Sequence, residues 1–146
     1  MSEIPLTAVV DDDEAIREAV QSLIRSAGFS AEAFPSAEDF LHSGHLQDTA
    51  CLIVDVRMPR MSGLEFQRQL TASNCPIPLI FITAHADAAM RARALRAGAA
   101  AFLDKPFSDE VLLRAVQAAL QSSREGVSGS QRRDISPRGD PRSPGG

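Results

Sequence analysis

Cys51-Leu52-Ile53-Val54-Asp55-Val56-Arg57-Met58-Pro59-Arg60-Met61-Ser62-Gly63 is the stretch on which the reading of this 146-residue chain turns. No polar residue interrupts Cys51 to Val54, so a strand there is buried on both faces, as the strands of a parallel sheet are. The run stops at an acid. A turn containing Pro59 and Gly63 follows, and Leu64, Phe66 and Leu70 then recur at helical spacing.

The same alternation repeats on either side. Toward the N-terminus, Leu6 to Val10 is a β-prone run that ends in Asp11-Asp12-Asp13. Ile16, Ala19, Val20, Leu23, Ile24 and Ala27 then follow a helical period that Gly28 closes. Ser30 to Phe34 is a weaker strand, and Ser36, with Asp39 three residues on, caps a short helix that ends at Gly44. Toward the C-terminus, Leu79-Ile80-Phe81-Ile82 is another buried strand, Asp87 opens a helix stopped by Gly98, and Ala100 to Leu103 form a short strand. Ser108, with Asp109 and Glu110 behind it, then caps a helix through Val111, Leu112, Ala115, Val116 and Leu120; acids in a first turn suit the helix dipole. Five strand–helix units with apolar strands predict an α/β fold, because parallel strands need right-handed crossovers that place helices on both faces. The five-stranded form of this doubly wound architecture is the flavodoxin-like (βα)5 fold with strand order 2-1-3-4-5.

Composition sets the remaining bounds. With 44% apolar and 23% charged residues the chain reads as one globular domain over 1–125. No apolar run approaches the ~20 residues of a membrane-spanning helix. The opening Met1-Ser2-Glu3-Ile4-Pro5 has no basic, apolar leader character. Cys51 and Cys75 stand in no metal or redox spacing, which predicts reduced thiols and a cytoplasmic protein. Residues 126–146 contain five Gly, three Pro and four Ser, a composition that cannot build a core, and are expected to form a disordered tail. That tail carries four Arg against two Asp, which leaves −6 on residues 1–125 of a chain whose net charge is −4. An acidic body argues against a large nucleic-acid footprint.

In open α/β sheets ligands bind beyond the carboxyl ends of the strands. The first strand ends in Asp11 and Asp12, the third in Asp55 and the fourth in Thr83, while Lys105-Pro106 follows the fifth. In the order 2-1-3-4-5 these strands are contiguous, so the residues converge on one cleft. Asp13 and Glu14 read as capping and solvated charge. Three carboxylates in one cleft repel and raise each other's pKa unless positive charge joins them. Lys105 supplies one charge, and a hard divalent cation with oxygen ligands, Mg²⁺, suits the rest.

Together Val9-Val10-Asp11-Asp12, Val54-Asp55-Val56-Arg57-Met58-Pro59 with Gly63, Ile82-Thr83-Ala84 and Lys105-Pro106-Phe107 resemble the receiver domain of the two-component response-regulator family over about residues 5–121. The wording of Asp-Val-Arg-Met-Pro, Thr-Ala-His and Phe-Pro-Ser-Ala is similar to the branch whose members often carry a helix-turn-helix output domain. The resemblance implies that Asp55 takes a phosphoryl group from a phosphohistidine on a sensor histidine kinase or phosphotransfer protein. It implies that Asp12 binds Mg²⁺ directly, Asp11 mainly through water, and that Asp55 and the carbonyl of Arg57 complete the protein ligands. Thr83 and Lys105 would neutralise phosphoryl oxygens, and Lys105-Pro106 would be cis, aiming the lysine into the cleft. Drawing Thr83 inward would then let Phe102, at the aromatic switch position, rotate. The face built from the helix at 87–97, the strand at 100–103 and the last helix would change for dimerisation or partner docking.

Several residues carry two readings at this stage. Arg57 is either a surface arginine or a partner of the cleft carboxylates, and His85 is a candidate to orient an attacking water. His42 and His45 are expected in solvent beside Gly44, and Arg91, Arg93 and Arg96 are expected to be exposed among alanines. Asp11-Asp12-Asp13 also offers the Asp-x-Asp of haloacid-dehalogenase-type phosphatases, but Ala15 stands where that family usually has Thr or Val, and the chain leaves no room for a cap. A receiver-like module that is never phosphorylated would have lost an acid or the lysine. A transcription factor would need a recognition helix, and nothing after Leu120 reads as one. The expectation is therefore a signalling switch that turns over no external substrate and binds neither nucleic acid nor membrane.

Overall fold

A computed structural model of the chain describes residues 5–75, 77–84 and 87–129, with 123–129 described by backbone only. Ten elements alternate: β1 (Leu6–Val10), α1 (Glu14–Ser26), β2 (Ser30–Phe34), α2 (Ala37–His42), β3 (Thr49–Asp55), α3 (Gly63–Ala72), β4 (Leu79–Thr83), α4 (Ala88–Arg96), β5 (Ala101–Asp104) and α5 (Asp109–Gly129). The strands form one parallel sheet in the order β2-β1-β3-β4-β5, the flavodoxin-like arrangement.

The continuous apolar runs are explained by what each face meets. Leu52 and Val54 of β3 point to one side and Cys51 and Ile53 to the other. The first side packs against Phe40 of α2, Phe66 and Leu70 of α3 and Ala94 of α4. The second packs against Val20 and Ile24 of α1 and Leu112, Val116 and Ala119 of α5. Each fully buried strand side chain stabilises the sheet by about 1.5–3 kcal/mol relative to exposure. Cys51 sits inside this packing, and burial pushes its thiol up to about 12, so it stays protonated and unreactive.

The caps lie where the sequence places them. Asp13 accepts from the N–H of Ala15 and Ile16, Ser36 from that of Asp39, and Ser108 from that of Val111. Two local expectations need correcting. The last strand is Ala101–Asp104, displaced by one residue from 100–103, because the register on β4 begins with Ala101 opposite Ile80 and carries Asp104 opposite Thr83. The last helix runs from Asp109 to Gly129, and no proline interrupts it after its cap at Ser108. Residues 130–146 of the expected tail lie outside the described residues. His45 is half-buried rather than solvated, its ring 6.1 Å from that of Phe34 and its Nδ1 3.7 Å from Asp48; His42 is exposed as expected.

Gly63 opens α3 directly behind β3. A Cβ there would lie 2.7 Å from the Asp55 carbonyl oxygen, 2.9 Å from the Phe81 ring and 3.0 Å from Val56 Cα. Two of these neighbours are backbone and cannot step aside. Gly63→Ala is expected to destabilise the fold by about 1–3 kcal/mol, the usual cost of overpacking, as read by denaturant unfolding. An unchanged midpoint would show that α3 does not need this close approach.

Candidate functional site

Because Val10 of β1 pairs in register with Val54 of β3, Asp11 and Asp55 leave the sheet side by side at its carboxyl edge. Asp11 is fully buried and Asp55 nearly so, whereas Asp12 is exposed at the rim. One carboxylate oxygen from each of the three lies within 4.8 Å of the others, and among the described residues this is the acidic group able to hold a metal ion. Like charges that close repel by on the order of 3 kcal/mol at an effective dielectric of ~20. The compensating charge comes from the far end of the chain. Lys105 Nζ stands 3.5 Å from Asp11 Oδ2 and 3.5 Å from Asp55 Oδ2. The Lys105–Pro106 peptide is cis, and the Lys105 N–H donates to the Thr83 carbonyl at 2.7 Å. Thr83 itself is buried at the end of β4.

Backbone contacts hold the carboxylates still. The Asp13 N–H donates to Asp11 Oδ1 at 2.9 Å, and the Arg57 N–H donates to Asp55 Oδ1 at 3.2 Å. Arg17 Nη1 donates to the Asp11 carbonyl at 2.8 Å and so ties α1 to the β1 end. The Asp11 carboxyl is pushed up to about 6. Burial is the main cause and Asp55 adds to it, while the Asp13 N–H and Lys105 act in the opposite direction. The rise is therefore chiefly the cost of taking a carboxylate out of water, with the neighbouring Asp55 charge added to it. The donor set consists of hard carboxylate oxygens with one lysine at the edge, which fits Mg²⁺ and offers nothing to a soft metal.

Every residue expected at the cleft and described in the structure is present at the carboxyl edge of the sheet. Asp11, Asp12, Asp55 and Lys105 come together. Thr83 ends the neighbouring strand, and Arg57 lies just beyond Asp55 with its side chain exposed. His85 lies outside the described residues. Asp13 caps α1. Arg17 was not singled out from sequence, although an arginine four residues after a capping aspartate is placed to reach back over the first turn. An apolar recess of about 440 Å³ opens beside the cleft, lined by Ile16, Ala19 and Leu23 of α1 with Ala84, Pro106 and Phe107.

Residues 7–117 match the response regulator receiver domain. The chain belongs to that family. It is 50% identical over 113 residues to response regulator protein TodT of Pseudomonas putida, a match covering 77% of this chain and 50% of TodT. The chain spans about half the length of the curated relatives it matches. Its fold superposes on the response regulator StyR with a TM-score of 0.82 at 45% identity, covering 90% of this chain and 67% of that one. FixJ-N gives a TM-score of 0.73 at 36% identity, with 83% and 96% covered. No helix among the described residues is long and apolar enough to cross a membrane.

The raised Asp11 carboxyl fixes the sign of a pH effect. Its folded pKa lies above the ordinary 3.8, so between the two values the native state holds more proton than the unfolded one. Its contribution to stability is then present at low pH and is lost as pH rises through about 6. For the chelator-treated protein, unfolding followed between pH 7 and pH 5 should show stability rising relative to Asp11→Asn, which lacks this group. A wild-type curve parallel to that of the variant would contradict the assignment.

Proposed function

We propose that this receiver domain accepts a phosphoryl group on Asp55 from the phosphohistidine of a sensor histidine kinase or phosphotransfer protein in the cytoplasm. The observation that carries this reading is the meeting of Asp11, Asp12 and Asp55 within 4.8 Å, with the Lys105 ammonium 3.5 Å from two of them. An Asp55 oxygen attacks phosphorus as the P–N bond breaks and its electron pair returns to the imidazole. Mg²⁺, when bound, supplies the charge neutralisation that phosphoryl transfer mainly requires. Asp11, Asp12 and Asp55 with the Arg57 carbonyl would hold it.

Within the chain, Lys105 neutralises phosphoryl oxygen and keeps the two buried carboxylates together. The Arg57 N–H orients Asp55. The Thr83 hydroxyl donates to a phosphoryl oxygen once Asp55 is modified, and its inward shift is coupled to Phe102. The modification adds about one negative charge or more to the cleft. The outer face of α4, β5 and α5 responds, and through it the domain dimerises or docks a partner. The apolar recess beside Lys105 gives the phosphohistidine-bearing element a dry surface to rest on. The domain assists its own phosphorylation and dephosphorylation and turns over no other substrate. Nucleic acid and membrane are not among its partners.

Intact mass after incubation with Mg²⁺ and acetyl phosphate tests the proposal. The expected result is one added phosphoryl group on the native protein, none on Asp55→Asn, and none when Mg²⁺ is chelated during labelling. A phosphorylated Asp55→Asn variant would overturn the choice of acceptor. A native protein that neither gains mass nor releases phosphate over time would overturn the function.

A further inference from the structure

Arg91, expected among the exposed arginines of α4, is not free in solvent. It is half-buried on the first turn of α4, and its guanidinium makes three contacts with β5. Its carbon lies 4.9 Å from the centre of the Phe102 ring, Nη1 donates to the Phe102 carbonyl at 3.1 Å, and Nη2 meets Asp104 Oδ2 at 2.8 Å. The ring beneath it is buried against Phe81, their centres 6.0 Å apart, in the cluster that also holds Ala94. β5 is the edge strand, and an edge leaves backbone acceptors on its open side. A planar guanidinium is the cationic side chain that can stack on a ring and fork to two oxygens at once. By contrast, Arg93 and Arg96 of the same helix are exposed and make no ion pair among the described residues.

We propose that Arg91 is a positioning residue that clamps α4 to β5 over Phe102 and holds the ring in its buried place before any modification of Asp55. The clamp stands on its own geometry; its consequence for signalling rests on the phosphoryl-switch reading above. Where a modified Asp55 favours a packed Phe102 ring, Arg91 pre-biases the domain toward that arrangement. Stacking and ion pairing at a partly exposed site each change an equilibrium by a factor of about two to five. The two together multiply to a bias of about four- to twenty-fivefold, and five- to tenfold is its middle range.

Fluorine NMR on protein carrying fluorophenylalanine reads the ring directly in the unphosphorylated state, with Phe102→Leu assigning the signal. The wild type is expected to show one dominant Phe102 environment. Arg91→Ala should raise the population of a second, solvent-exposed environment about five- to tenfold. Arg91→Lys keeps the charge without the fork and should give a smaller rise, and Asp104→Asn, which weakens one contact of three, the smallest. In parallel, labelling of Arg91→Ala by acetyl phosphate should slow several-fold while its thermal midpoint stays close to wild type. An Arg91→Ala spectrum identical to wild type would overturn the clamp even if Asp55 is phosphorylated normally. A changed spectrum in a protein that takes no phosphoryl group would leave the clamp standing and remove the function proposed above.

Discussion

The structure depends on a charge problem at the carboxyl edge of its sheet. Asp11 and Asp55 are driven into the interior side by side by the register of β1 on β3, and Asp12 stands at the rim beside them. Nothing in the two strands supplies an opposite charge. Lys105 does so from the end of β5, which brings residues 94 and 50 positions apart in the chain to within 3.5 Å. Closing the sheet in the order 2-1-3-4-5 is therefore also what assembles the cleft, and fold and site cannot be separated. One ammonium does not balance three carboxylates, and the Asp11 carboxyl is displaced upward, by burial first and by Asp55 in addition. Such a set of hard carboxylate oxygens fits a divalent cation.

The surrounding packing serves the same edge. Gly63 lets the start of α3 approach the Asp55 carbonyl, Arg17 fixes the Asp11 carbonyl from α1, and Asp13 spends its carboxylate on capping rather than on the cluster. On the opposite flank the contacts are fewer and more polar. There α4 meets the edge strand β5 through Arg91, Phe102 and Asp104, at the rim of the sheet rather than in its fully buried centre.

Much of this was legible in the sequence because the deciding signals are local. Unbroken apolar runs such as Cys51–Val54 and Leu79–Ile82 mark strands buried on both faces, and the acid or hydroxyl that ends each run lies at the ligand-binding edge by the geometry of parallel sheets. That reading puts Asp11, Asp12, Asp55, Thr83 and Lys105 at one edge, and the structure brings Asp11, Asp12, Asp55 and Lys105 together there. What escaped was set by long-range packing. Helical periodicity cannot tell Arg91 from Arg93 or Arg96, since all three interrupt an alanine-rich helix; only the position of Phe102 across the gap singles one out. His45 reads as a loop histidine until Phe34 is seen beside it.

Asp11, Asp12 and Asp55, compensated in part by Lys105, make up one candidate cation site. Since the chain has neither Trp nor Tyr, calorimetric titration of Mg²⁺ into the chelator-treated protein is the most direct measurement. A single site is expected, with affinity reduced about tenfold or more in Asp12→Asn and in Asp55→Asn, a loss of about 1.4 kcal/mol or more per carboxylate removed. Binding that is absent in the native protein, or unchanged in both variants, would contradict it.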